Sequence, residues 1–265
     1  MSDNLFDLSG KVAVITGSSR GIGRAIALRM AQHGARVVVT SRKAEACEKV
    51  AAEINGGQTL QGRPGEAIVV PCNVSDKAQL QGLVDATLRK WDRIDILVCN
   101  AAVNPFFGPS KDIPDDAFDK IMDVNIKSNH WLCNMAAPGM AQRGDGSIII
   151  ISSVGGLFGS NTLGAYGISK AADMQLARNL AVEWGPQNVR ANCIAPGLIR
   201  TDFARALWEN PDIAKKATKG YALRRIGEPD EIAGAAVFLG SAAGRFMTGQ
   251  TMIIDGGGMV NFQSV

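Results

Sequence analysis

Three observations predict a single α/β domain built on a doubly wound parallel sheet. Short β-rich runs alternate with long helical patterns along the whole chain, the runs are predominantly apolar without a polar alternation, and the chemically informative segments follow directly after them. Strands buried on both faces belong to parallel sheets covered by helices on either side. Right-handed crossovers then wind the sheet outward in both directions, with ligands at the carboxyl ends of the strands. The chain has 265 residues, 46% of them hydrophobic and 20% charged, which is enough for an ample core. With no internal repeat or break in composition, residues 1–265 are read as one domain.

The elements follow in order. Lys11–Thr16 is the first strand, and Gly21–His33 places Ile22, Ala25, Ile26 and Met30 at helical spacing. Arg36–Thr40 is the second strand, followed by a helix over Ala44–Ile54. Asn55–Glu66 is a loop rich in glycine and proline. Ala67–Cys72, Ile94–Cys99, Ser147–Ile151, Val189–Ile194 and Thr251–Ile254 are the remaining strands, seven in all. Helices are predicted over Lys77–Trp91, Asp115–Gln142, Ala165–Glu183 and Pro229–Leu239, with Pro138 bending or ending the second of these. Thr201–Tyr221 reads as a lid between the sixth strand and the last helix.

Composition excludes several classes of function. The formal net charge of +3 is spread along the chain, so neither nucleic acid nor a membrane surface is indicated. Cys47, Cys72, Cys99, Cys133 and Cys193 form no CxxC pair, which suits a reducing cytoplasmic compartment. The acidic start lacks the features of a signal peptide, no run approaches a membrane span, and the tail Asn261–Val265 is no peroxisomal address. His33 and His130 have no partners at metal-ligand spacing, so no metal site is expected.

The chemistry centres on Tyr166 and Lys170, four residues apart on one helical face. An ammonium beside a phenol favours its ionised form and makes it usable as an acid or base. Ser152 and Ser153 close the strand just upstream, where a hydroxyl can face a ligand. Taken alone, the same spacing describes a packed aromatic beside a solvated charge. The N-terminal turn shifts the balance: Gly17, Gly21 and Gly23, in the spacing GxxxGxG between the first strand and first helix, let a backbone come close to a pyrophosphate at a helix N-terminus.

Together with Asn100-Ala101, Asn125, Ser153, Pro196-Gly197 and Asp255-Gly256-Gly257, these residues give the chain a resemblance to the short-chain dehydrogenase/reductase family over about residues 8–258. The resemblance is strongest to carbonyl-reducing members that use NADPH. It implies a Rossmann-like fold and a tetrad of Asn125, Ser153, Tyr166 and Lys170. Tyr166 exchanges a proton with the substrate oxygen, Ser153 donates a hydrogen bond to that oxygen, Lys170 supports the tyrosine and holds the nicotinamide ribose, and Asn125 holds a water that relays protons to Lys170. It also implies NADP(H) contacts from Gly17, Ser19, Arg20, Gly21, Ile22, Gly23, Asn73, Val74, Asn100, Ala101 and Ala102. Pro196, Gly197, Ile199 and Thr201 hold the nicotinamide carboxamide end.

Cofactor choice follows from charge. Where an NAD enzyme of this type has a carboxylate after the second strand, this chain has Ser41, followed by Arg42 and Lys43 and faced by Arg20, a set suited to a ribose phosphate. Phe106, Phe107, Leu157, Phe158, Leu198, Phe203, Leu207 and Trp208 fall in loops beyond strand ends and imply a bulky, apolar ketone or aldehyde as the small-molecule partner. Two other functions are compatible with the sequence, a 3-oxoacyl thioester reductase and a non-catalytic NADP(H)-binding regulatory protein. Family members are usually homotetramers, and the helices over Asp115–Gln142 and Ala165–Glu183 are the expected interfaces.

Overall fold

A computed structural model describes residues 4–260. Met1–Asp3 and the tail Asn261–Val265, on which part of the targeting argument rests, lie outside the described residues. The strands are β1 (Val12–Thr16), β2 (Arg36–Thr40), β3 (Glu66–Val69), β4 (Ile96–Cys99), β5 (Gly146–Ile151), β6 (Val189–Pro196) and β7 (Thr251–Ile254). All pair in parallel, in the order β3-β2-β1-β4-β5-β6-β7. The order reverses between β1 and β4, so a crevice opens there at the carboxyl ends.

Alternate residues of β1, β2, β4 and β5 enter opposite cores. On one face Ala13, Ile15, Val37, Val39, Val98 and Ile149 pack with α1 (Gly21–Gln32), α2 (Ala44–Gly56) and, from the far end of the chain, α8 (Pro229–Gly240). On the other, Val12, Val14, Val38, Leu97, Ile148 and Ile150 pack with α3 (Lys77–Trp91), α5 (Ser128–Arg143) and α6 (Gly164–Trp184). Burial on both sides is why the central strands are apolar at successive positions, as in residues 12–15 and 148–151.

β1 and β4 are also locked by a charge. Asp95 is buried; its Oδ2 accepts the Val12 N–H at 2.9 Å, and Arg93 reaches the same carboxylate at 2.7 to 3.0 Å. Asp95→Ala leaves that amide and guanidinium unpaired, and urea unfolding should show a loss of about 2–4 kcal/mol. A loss below about 0.5 kcal/mol, the usual range for a surface site, would show that the carboxylate does not fasten the crevice.

Two expectations are corrected, and a third segment gains elements that were not predicted. β3 stops at Val69 rather than Cys72: Val70 and Cys72 still donate to the Val39 and Ser41 carbonyls, but Pro71 has no N–H to continue the ladder. The helix expected over Asp115–Gln142 is two, α4 (Asp115–Met122) and α5, joined by a π-helical turn over Asp123–Lys127, while Pro138 lies inside α5 and does not end it. The stretch Thr201–Tyr221 contains a 3₁₀ turn over Asp202–Leu207 and a helix, α7 (Pro211–Thr218), whose cap Asn210 accepts from the Asp212 and Ile213 amides. Asparagine at the cap with proline at the first helical position is a start signal that sequence reading passed over.

Candidate active site

The glycine turn is built so tightly that side chains are excluded. Gly17 and Gly21 have φ of +66° and +56°, in the left-handed region. A Cβ on Gly23 would lie 2.5 Å from both the Gly17 carbonyl and Asn100 Nδ2. Asn100 is the clasp: Nδ2 donates to the Thr16 carbonyl at 2.8 Å, while Thr16 Oγ1 accepts the Asn100 and Ala101 amides at 2.9 and 3.0 Å. Ala102 follows and is half-buried. Arg20 occupies the cap position of α1 without a side-chain cap, so the first amides of the helix, among them those near Ile22, are left for an anion.

Ser18 ties this turn to the end of β2, accepting the Thr40 amide at 2.9 Å and donating its own amide to the Thr40 carbonyl at 3.1 Å. Ser19 and Lys43 thereby share a cleft of about 340 Å³ with Arg24, Lys49, Glu45 and Glu53. Arg24 and Lys49 were not foreseen. Arg24 pairs with Glu53 at 2.5 Å, and Arg20 reaches Asp202 at 3.5 Å. Arg42 is exposed beside the cleft but does not line it. Ser41 accepts the Lys43 amide at 3.3 Å and touches Cys47 Sγ at 3.1 Å. Asn73 is exposed, its Oδ1 accepting from Ser75 at 3.3 Å, and Val74 packs on the core below.

At the end of β5 the two serines differ. Ser152 is buried and donates to the Lys170 carbonyl at 2.7 Å. Ser153 Oγ accepts the Gly155 amide at 3.1 Å and keeps its hydroxyl proton for another acceptor. A Cβ on Gly155 would be 3.4 Å from Ser153 Oγ and 3.8 Å from the Tyr166 ring, so this glycine sits between the two. Lys170 Nζ lies 5.8 Å from the Tyr166 ring centroid. It donates to the Ile151 carbonyl at 2.9 Å and to Asp173 Oδ2 at 2.8 Å. Burial pushes the Lys170 ammonium toward deprotonation, but Asp173 and Tyr166 outweigh it and hold it above the usual lysine range.

Asn125 lies fully buried in the π-turn. Its Oδ1 accepts from Val103 N–H at 2.9 Å, its Nδ2 donates to the Val103 carbonyl and to Ser169 Oγ at 3.0 Å each, and its own carbonyl accepts Asn129 Nδ2 at 2.6 Å. Asn129 and Asp173 are thus bonded to the candidate residues Asn125 and Lys170, a connection that sequence reading missed. The signal for Asp173 was present: it stands seven residues after Tyr166 and three after Lys170, on the same helical face.

The loop after β6 closes the crevice. Pro196 and Ile199 are buried, the Leu198 amide donates to Tyr221 Oη at 2.9 Å, and a Cβ on Gly197 would lie 2.8 Å from Asp255 Cα. Thr201 returns over the glycine turn, its Cγ2 3.3 Å from where a Gly21 Cβ would stand. Of the aromatic residues, Phe203 reaches Tyr166 with ring centroids 6.1 Å apart. The Gly108 amide donates to the Thr162 carbonyl at 3.0 Å, which brings the Phe106-Phe107 loop to the start of α6. Phe107, Leu157, Phe158 and Leu207 are exposed. Leu198 instead lines a small cavity with Tyr221, Leu223 and Asp255, and Trp208 is turned back onto Thr201 and Arg200.

A tight glycine turn at a topological switch point, with half-buried Tyr166 beside the buried Lys170, is an arrangement suited to an NAD(P)-dependent oxidoreductase. The family model described as Enoyl-(Acyl carrier protein) reductase matches residues 17–258. Dehydrogenase/reductase SDR family member 4 of Bos taurus is 42% identical over 252 residues, 95% of this chain and 88% of that protein; its Homo sapiens counterpart is 40% identical, over 94% and 88%. Among solved structures, 7α-hydroxysteroid dehydrogenase with NADH and 7-oxo glycochenodeoxycholic acid superposes with a TM-score of 0.90 at 36% identity, covering 97% of this chain and 98% of that one. Gluconate 5-dehydrogenase of Burkholderia cenocepacia with NADP and tartrate gives 0.89 at 32%, over 96% and 97%. The chain belongs to the short-chain dehydrogenase/reductase family. Among the described residues no helix is long and apolar enough to cross a membrane, and no acidic, histidine or cysteine group could hold a metal ion.

Proposed function

We propose that the protein is an NADP(H)-dependent carbonyl reductase, reversible as an alcohol dehydrogenase. The observation that carries this reading is the placement of the Ser153 hydroxyl and Tyr166 on either side of Gly155, with the buried Lys170 ammonium 5.8 Å from the Tyr166 ring centroid. NADP(H), when bound, supplies or accepts the hydride. Tyr166 gives the proton to the carbonyl oxygen in reduction and removes it in oxidation, with Lys170 stabilising the phenolate. Ser153 donates to the same oxygen as charge grows on it. Asn125 fixes the loop after β4 through Val103 and the first turns of α6 through Ser169, holding both walls of the pocket. Phe203, Phe106 and Phe107 suit a bulky, apolar substrate. Oxidation of NADPH in stopped flow against a panel of ketones and aldehydes tests the reading; binding without turnover across the panel would leave a regulatory protein.

The fit of the cofactor rests on the glycine cradle and the uncapped start of α1. Preference for the phosphorylated form rests on Ser41 in place of a carboxylate and on the cations about the cleft, since the solved neighbours carry NADH in one case and NADP in another. Arg42→Ala and Lys43→Ala should each weaken NADPH by about tenfold and NADH by less than about twofold, as expected for one charge-assisted contact. Equal losses for the two cofactors would overturn recognition of the phosphate.

The description of the matching family model favours a second reading, reduction of an acyl-carrier thioester, and a 3-oxoacyl thioester in the panel decides between them. We further infer a cytoplasmic homotetramer, supported by five free cysteines and by exposed Ile168 and Val182 on α6. Light scattering of the purified protein tests the assembly.

A further inference from the structure

Asp173 is fully buried in α6, and no step of the proposed reaction uses it. A carboxylate away from water is costly unless it is paired and hydrogen-bonded, so its partners carry information. Oδ2 accepts from Lys170 Nζ at 2.8 Å, and Oδ1 accepts from Asn129 Nδ2 at 2.9 Å. The Asn129 amide also donates to the Asn125 carbonyl, so Asp173 joins the lysine to the π-turn. Lys170 spends a second donor on the Ile151 carbonyl, and an ammonium has three. One therefore remains for the side of Tyr166.

The elements packed around the pair add no competing charge. β6 brings Cys193, whose Sγ donates to the Asp173 carbonyl at 3.3 Å, and β4 and α5 bring Cys99 and Cys133, with sulfurs 3.9 Å apart. The Cys133 thiol and burial push Cys99 up, and burial pushes Cys193 up, so both stay neutral. Arg178, further along α6, is exposed and bonded to Gln175. Among the described residues Asp173 is the carboxylate in ion pair with Lys170.

We propose that Asp173 is a positioning residue for the Tyr166-Lys170 pair, anchoring the Lys170 ammonium as a permanent cation beside the phenol. What the pair does rests on the carbonyl-reductase reading; which groups are coupled rests on the geometry alone.

Asp173→Asn keeps the shape and removes the charge. Complete burial lowers an unpaired lysine by up to about 3–5 pH units, enough to discharge Lys170 in the neutral range. The acid-side limb of alcohol oxidation, measured as kcat/KM against pH, should then move up by about one unit or more, because the phenol has lost its cation. kcat should fall about tenfold or more while the Kd for NADPH changes less than about threefold. An unmoved limb overturns the proposal. So does a limb that moves down, the result if Asp173 only subtracts negative charge beside an unchanged cation.

A thermal unfolding cycle without cofactor reads the same coupling. Lys170→Met strands the carboxylate, Asp173→Asn strands the ammonium, and the double variant should melt above either single one. Additive losses overturn the proposal. Should Asp173→Asn give no folded protein, the double variant decides: recovered folding supports the coupling and continued failure refutes it. Because the cycle needs no catalysis, lack of turnover with every carbonyl would sink the reductase reading and leave Asp173 to be judged by the cycle.

Discussion

Tyr166→Phe reduces carbonyl turnover by about 10³-fold or more, within the range by which a positioned proton donor accelerates such a step. The substitution removes one oxygen and leaves the ring against Phe203 and Gly155. The phosphate end proposed for the cofactor, at the glycine turn and the Lys43 cleft, lies on other elements, so NADPH affinity should change by less than about threefold. Stopped-flow NADPH fluorescence gives the rate and equilibrium titration gives the affinity. Retention of more than about a tenth of the turnover would assign the proton to another group, because loss of a true proton donor costs far more. Loss of affinity in proportion to rate would mean that the ring, not the hydroxyl, is what matters.

How legible this site was in the sequence depends on where each residue gets its constraints. Tyr166 and Lys170 are four apart on one helix, and Gly17, Gly21 and Gly23 fall on one short chain segment, so local geometry places them. The strands were legible because burial on both faces leaves an uninterrupted apolar run, as in Ile148–Ile151. Asn129 was not legible: its role comes from contact between α5 and α6, and the π-turn that turns Asn125 toward Val103 and Ser169 has no local signature. Tyr221 was lost for the same reason, since it meets Leu198 only through the packing of a loop 23 residues away. The cations were legible only in part. Arg20 lies within the turn and Lys43 follows β2, so both are readable from the chain, but the side-chain partners of Arg20 and Arg24, Asp202 and Glu53, are set by tertiary approach.

Gly23→Ala is the second large effect expected, and it separates cofactor binding from the chemistry at Tyr166. The new methyl would meet Asn100 Nδ2 and the Gly17 carbonyl at 2.5 Å each. Asn100 could swing aside only by giving up its bond to the Thr16 carbonyl, and Gly17 is backbone, so the turn itself must open. Overpacking of this kind costs about 1–3 kcal/mol of stability. The cost to binding is greater, because the amides at the start of α1 serve a phosphate only while the turn holds them together, and loss of two or more such charge-assisted bonds weakens NADPH by about 100-fold or more. Gly82→Ala in α3 is the matched control: nothing lies within 4 Å of its added Cβ, and alanine should stabilise the helix by about 0.5–1 kcal/mol with no change in affinity. If both alanines left NADPH binding intact, the tight approach of α1 to β1 would be a matter of packing alone, and the cradle would have to be sought elsewhere in the crevice.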